Sequence, residues 1–258
     1  MNRVFSFVVA ALLFAATAPQ ASAHFPWLAI DKDGKAIYFF GETPADRTYK
    51  LPPAITKVNV RMVDVEKQTL TLQLKAVDSD DFVGMKSSKP VPQAASLTSQ
   101  VTNGVYNGSR LEYYTQHLGG KLPSSRGGNE LVSKQLSLRA QIIDTETGVD
   151  VFVTWRGKPL ADTEVSLYCA EGHKEGSAKT HHSGKVSLTD QQVEDGQNGI
   201  VVGHTAKDEP GKIGETKYES EVHYLTTTIN DPEDSEHSPA KARVSVASDI
   251  YPEIPEMV

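Results

Sequence analysis

The chain has 258 residues, with 26 Lys+Arg against 33 Asp+Glu, a formal net charge of −7 and a single cysteine. The acidic balance argues against nucleic acid and anionic membrane surfaces as partners. One cysteine cannot close an internal disulfide, so packing must hold the fold, and the length suffices for one large or two smaller cores.

Residues 1–23 read as a removable secretory signal. Arg3 supplies the positive start, Val4 to Ala16 a mostly apolar run, and Ala21-Ser22-Ala23 the small residues before a cut. The run is too short and wrongly flanked for a permanent span. The expectation is an exported protein, periplasmic or extracellular, with no membrane span after processing. Cleavage would leave His24 as the first residue, its α-amine free, and loss of Arg3 would make the chain one unit more negative.

From there the pattern is strand after strand. Ile37–Phe40, Val58–Val63, Leu70–Leu74, Leu111–Tyr114 and Leu136–Ala140 alternate or cluster β-formers between turn signals such as Asp33-Gly34 and Asn107-Gly108. No long segment carries a helical stripe. The polar, breaker-rich stretch 119–133, with Gly119-Gly120, Pro123, Ser124, Ser125 and Gly127-Gly128, is the linker expected between an N-terminal β domain (24–118) and a second one (134–230). In the second, Val151–Trp155, the turn Arg156-Gly157-Lys158-Pro159 and Thr163–Leu167 read as strand, tight turn and strand, with Pro159 fixing the return. Lys185–Leu188, Ile200–Thr205 and Glu221–Ile229 follow. Short strands at this spacing predict an all-β fold of two β-sandwich domains, the second immunoglobulin-like or prealbumin-like. Cys169, at the end of the apolar run Val165–Cys169, reads as a small buried hydrophobe. The remainder, 231–258, is an acidic, proline-bearing tail whose spacing is not that of a calcium loop.

Eight histidines raise the question of which converge. An N-terminal histidine can grip one metal ion through its amine and its Nδ1, and needs only one more imidazole for a three-nitrogen site. Such donors suit Cu(II) best, with Ni(II), Co(II) and Zn(II) behind or beside it. His204 and His223 are the companions expected for His24. If their strands pair as a hairpin closed around Ile213 and Gly214, the two rings stand nearly opposite each other across the ladder. A slip by one residue turns one of them away, and two separate half-buried histidines would give the same spacing. His181 and His182 are adjacent, so on a strand they point to opposite faces and bind one ion only from a turn. His173 falls in a Glu171-Gly172 turn and reads as loop, His117 is a reserve ligand, and His237 lies in the acidic tail.

The motifs His24-Phe25-Pro26-Trp27-Leu28, Phe40-Gly41-Glu42, Leu111-Glu112-Tyr113-Tyr114, Gly157-Lys158-Pro159-Leu160 and Lys217-Tyr218-Glu219 leading to His223-Tyr224, in this order, resemble the exported proteins of domain-of-unknown-function family 4198. That family is described as similar to the periplasmic component of nickel and cobalt uptake systems. The resemblance implies an N-terminal histidine, a β-sandwich core and transition-metal binding, with the family's strand histidine at His204 and its histidine-tyrosine pair at His223-Tyr224. The chain departs from the pattern at Thr180-His181-His182-Ser183-Gly184, where the family carries an acidic Asp-Gly turn.

Three functions stay open on the sequence. The first is an exported protein that captures or delivers copper, nickel or cobalt through His24, His204 and His223, with an envelope transporter component as the partner that would receive the ion and Glu42 or Tyr224 orienting a ligand. The second is a copper-dependent oxidative enzyme acting on polysaccharide. The third is a metal-free envelope adhesion or assembly module. The chain has no Gly-x-Ser-x-Gly elbow, phosphate-cradling glycine loop, His-Glu-x-x-His helix or cysteine pair at zinc spacing.

Overall fold

The computed structural model describes residues 24–64, 66–126 and 133–231. The expected signal (1–23) and residues 232–258 of the expected tail, His237 included, lie outside the described residues, as does 127–132 of the linker. In chain order the strands are β1 (Phe25–Ile30), β2 (Ala36–Gly41), β3 (Val60–Val63), β4 (Thr69–Leu72), β5 (Leu74–Asp78), β6 (Val83–Ser87), β7 (Ser96–Tyr106), β8 (Ser109–Leu118) and β9 (Leu138–Thr145). They continue with β10 (Gly148–Trp155), β11 (Lys158–Pro159), β12 (Glu164–Tyr168), β13 (Lys174–Lys179), β14 (Lys185–Thr189), β15 (Gly196–Ala206), β16 (Gly211–Ile213), β17 (Thr216–Tyr218) and β18 (Ser220–Asp231). A 3-10 turn at Pro53–Lys57 precedes β3. The fold is all-β, as the alternation predicts.

An eight-stranded sheet in the order β13-β12-β15-β18-β8-β7-β3-β4 forms the centre of the fold. β8 and β18 pair in parallel over Ser109–Leu118, so strands from both sides of segment 119–133 share one sheet. A second sheet, β1-β2-β6-β5, packs on one face of the centre, and β10, with β9, β11 and β14 hydrogen-bonded to it, packs on the other. Each face therefore carries its own apolar core. Trp27, Leu28, Tyr38, Phe39, Leu97 and Tyr113 build the first. Leu118, Ile142, Val151, Leu167, Ile200 and Leu225 build the second. With both faces covered, β8 is buried continuously from Glu112 to Leu118 rather than alternately.

β1 explains itself as an edge strand laid over the central sheet. Pro26 has no N–H to give a ladder, which an edge tolerates. Its carbonyl instead accepts the Thr226 hydroxyl at 2.7 Å, and the Leu28 carbonyl accepts that of Thr228 at 2.6 Å. The buried threonines of β18 thus satisfy the outer carbonyls of β1, while Trp27 Nε1 donates to Gly41 O at 3.1 Å.

Two local expectations are corrected. The run Leu70–Leu74 is not one strand: it breaks at Gln73, β4 ending in the central sheet and β5 beginning in the other. The return after Trp155 is made by Arg156 and Gly157, both at positive φ (49° and 80°), while Pro159 lies in β11 opposite Thr154. A two-residue turn of that hand matches the strand twist. Asn107-Gly108, at 47° and 76°, closes β7 onto β8 in the same way.

Candidate functional site

β15 and β18 pair along their full length, and His204 stands directly opposite His223. Their rings are stacked with centroids 6.2 Å apart, and Trp155 from β10 lies 4.9 Å from the first and 4.3 Å from the second. His223 is buried and His204 half-buried. Burial first, then the charges of His204 and Arg156, hold His223 down at about 4, while burial and Arg156 lower His204. Both rings are therefore neutral at pH 7, the form that ligates metal.

His223 Nδ1 is 3.2 Å from the Tyr114 hydroxyl. Its Nε2 is buried without a hydrogen-bond partner, although Glu221 Oε2 lies 3.3 Å away. Around the pair runs a chain of charges. Arg156 holds Glu209 with two parallel bonds of 2.6 and 2.5 Å and lies over the Trp155 ring. Arg110 joins Glu112, at 2.5 Å, to Glu221, at 3.1 Å. Thr102 adds a hydroxyl to Glu112, whose Oε2 is buried and unpartnered. Three carboxylates face two guanidinium groups here, a surplus of one negative charge that favours a cation.

His24 does not join this pair. Thr226 and Thr228 turn their hydroxyls to β1, so Tyr224 shares that face, and the Phe25 and Tyr224 rings meet at 5.0 Å. By strand alternation His223 points to the opposite face, with Leu225 and Ile229. The central sheet stands between His24 and the other two imidazoles. The expected convergence of His24, His204 and His223 is thus corrected to a facing pair, with His24 in a separate aromatic setting. Its ring lies against Tyr49 (4.0 Å) and Phe40 (5.8 Å), and its Nε2 is 3.7 Å from Glu42 Oε1. Glu42 is thus near His24 without a hydrogen bond to its buried Nε2, and Tyr224 faces away from His223.

His117 also lies on the His24 face, fully buried, with burial pushing it down to about 4. His181 and His182 lie in an exposed turn closed by hydrogen bonds from His181 N to Lys185 O and from Gly184 N to His181 O, both 2.8 Å.

Among the described residues, the trio of His, Cys, Asp or Glu whose donor atoms all lie within 4.8 Å of one another is Cys169, His173 and Glu175. The donors of His204, His223 and Glu221 are wider apart, so holding an ion there requires His204, the half-exposed member, to change rotamer. Cys169 is buried at the end of β12, and burial raises its thiol. Reading Cys169 as packing and His173 as loop misses this trio, although the spacing Cys-x3-His-x-Glu is present in the chain. The signal needs the turn: only a chain that reverses after Cys169 brings the three together.

No model of a known protein family matches the chain, and no curated protein matches it. Among the described residues no helix is long and apolar enough to cross a membrane.

Proposed function

We propose that the chain is an exported transition-metal-binding protein that holds its ion at His204 and His223, with Glu221 supplying a carboxylate oxygen. The observation that carries this reading is the buried, unpartnered Nε2 of His223, 3.3 Å from Glu221 Oε2 and facing a second neutral imidazole across the ladder. A buried polar atom left without a partner costs free energy, and a bound cation would remove that cost. In the tautomer where Nδ1 carries the ring proton and donates a hydrogen bond to the Tyr114 hydroxyl, the lone pair of Nε2 is free for a metal, the arrangement usual where an outer partner sets the tautomer.

Two imidazoles and a carboxylate suit Cu(II) foremost, with Ni(II) and Co(II) following by the ordinary order of affinity. The role is capture and delivery in the envelope, the ion passing to a transporter component. Export is supported by the pattern of residues 1–23. The oxidative-enzyme reading requires an N-terminal amine beside the two rings, and His24 lies on the other face of the sheet from them, so the metal-holding reading is favoured.

The test is calorimetric titration of the protein beginning at His24, on a Cys169→Ser background, with Cu(II) and Ni(II). His204→Ala and His223→Ala are each expected to weaken binding by about tenfold or more. Unchanged affinity in both variants would overturn the proposal, and flat heats in the parent would favour a metal-free envelope module.

A further inference from the structure

We infer that the turn from Cys169 to Glu175 is a second metal site, containing a thiolate and suited to Zn(II). It is independent of the histidine pair and does not rest on that reading.

The turn is built to converge its donors. The β12–β13 ladder shifts register between Leu167 and Tyr168, a bulge that rotates the end of β12. Cys169 is thereby turned inward to full burial, while its N–H donates to His173 O and the Gly172 N–H to Cys169 O, both at 3.0 Å. Gly172 sits at φ +87°, and a side chain there would meet Thr43 Oγ1 at 2.6 Å and Ala45 Cβ at 3.1 Å. The turn is thus pinned against the segment following β2, and only glycine fits its tightest point.

His173 and Glu175 are two apart, so where β13 begins they share a side. Lys174 between them points away, its Nζ 3.3 Å from Glu164 Oε1. The result is a thiol, an imidazole and a carboxylate with donor atoms within 4.8 Å of one another. The imidazole reaches this position from the exposed side of the turn, and the Glu175 carboxylate is within hydrogen-bonding reach of the thiol. Glu171 Oε2 lies 3.7 Å from His173 Nδ1, both side chains exposed, and adds a nearby negative charge.

The chemistry balances. Binding Zn(II) releases the thiol proton to solvent, and thiolate plus carboxylate cancel the two positive charges while the imidazole stays neutral. Water completes a tetrahedral shell. Ideal bonds of about 2.3 Å to sulfur and about 2.0–2.2 Å to nitrogen and oxygen require the donors to draw inward, which the exposed His173 can do. Soft sulfur with nitrogen and one oxygen selects Zn(II) over the hard cations.

Co(II) serves as the spectroscopic probe. Reduced protein beginning at His24 is expected to give a near-ultraviolet thiolate-to-cobalt charge-transfer band and the visible bands of tetrahedral Co(II), saturating at one ion per chain in that band and bleached by Zn(II). Cys169→Ser should abolish the band, and His173→Ala and Glu175→Gln, both at accessible positions, should weaken binding by about tenfold or more. The double variant His204→Ala/His223→Ala should leave the band unchanged, so failure here and failure of the histidine pair read separately. A second measurement needs no variant: Zn(II) should slow alkylation of Cys169 by iodoacetamide. No charge-transfer band, a band indifferent to both His173→Ala and Glu175→Gln, or an alkylation rate indifferent to Zn(II) would each overturn the inference.

Discussion

Thr228 and His117 settle each other's protons. The Thr228 hydroxyl donates to the Leu28 carbonyl at 2.6 Å, so toward His117 Nδ1, 2.8 Å away, it accepts. The ring is therefore the Nδ1–H tautomer, and its Nε2 is a buried lone pair with no partner. Protonation would place a charge in an apolar interior.

A pH dependence of stability follows. Burial holds folded His117 down at about 4, against about 6.5 for an unperturbed histidine. Between these values the unfolded chain binds a proton that the folded one refuses, so stability is full above about pH 6.5 and falls as pH drops toward about 4, by up to roughly 3 kcal/mol. Urea unfolding of wild type and His117→Leu across that window checks this. The variant is expected to lose less stability on acidification, with a slope smaller by close to one proton; parallel slopes would contradict the buried neutral ring.

The separation of His24 from the histidine pair makes a second prediction. Adding a residue ahead of His24 removes the free amine, which would destroy an amine-imidazole chelate. Cu(II) affinity at the His204–His223 pair is expected to be unchanged by this addition, because the central sheet separates the two places. A drop comparable to that of His223→Ala would show that the amine does reach the ion.

These two histidine placements differ in how far they could be read from the chain. The facing of His204 and His223 was legible because both flank one hairpin, although the turn lies at Gly214-Glu215 rather than Ile213-Gly214 and its β16–β17 ladder, with Lys212 opposite Lys217, is two residues out of step with the β15–β18 ladder. The face of His24 was not, since it depends on threonines 200 residues away accepting β1 as an overlying layer. Likewise the apolar run Leu70–Leu74 carries no mark of the break at Gln73 that sends its ends to different sheets. Alternation reports which residues are covered; it does not report by what. The Arg156-Gly157 turn was visible as a turn, but the residues at positive φ displaced Pro159 from its expected part in it.

Gly199 tests that overlying layer. It lies in β15, where an added Cβ would meet Pro44 Cγ at 2.7 Å and Trp27 Cζ3 at 2.9 Å. Neither neighbour is a flexible chain end: Trp27 is fully buried and its indole is tied to Gly41 O. Gly199→Ala is expected to destabilise by about 1–3 kcal/mol through overpacking, with a melting temperature lower by several degrees. A neutral result in thermal unfolding would mean that β1 and the Pro44 turn pack more loosely on the central sheet than these distances require.

Arg156 sets the charge at the paired imidazoles. Its guanidinium lowers both His204 and His223, behind burial in each case, while Glu209, which it holds, acts in the opposite sense. Arg156→Gln removes the positive charge and releases the Glu209 carboxylate, and both changes favour the protonated rings. The His223 titration is therefore expected to rise from about 4 and that of His204 to move up toward the ordinary histidine range, followed by NMR of the ring protons. His117, on the other face of the sheet, provides the internal control and should not move. The same substitution increases the local negative surplus, so metal affinity at neutral pH should rise while binding becomes more sensitive to acid. If both rings titrate as in wild type, Arg156 acts only through its stacking on Trp155, and the electrostatic account of the site is wrong.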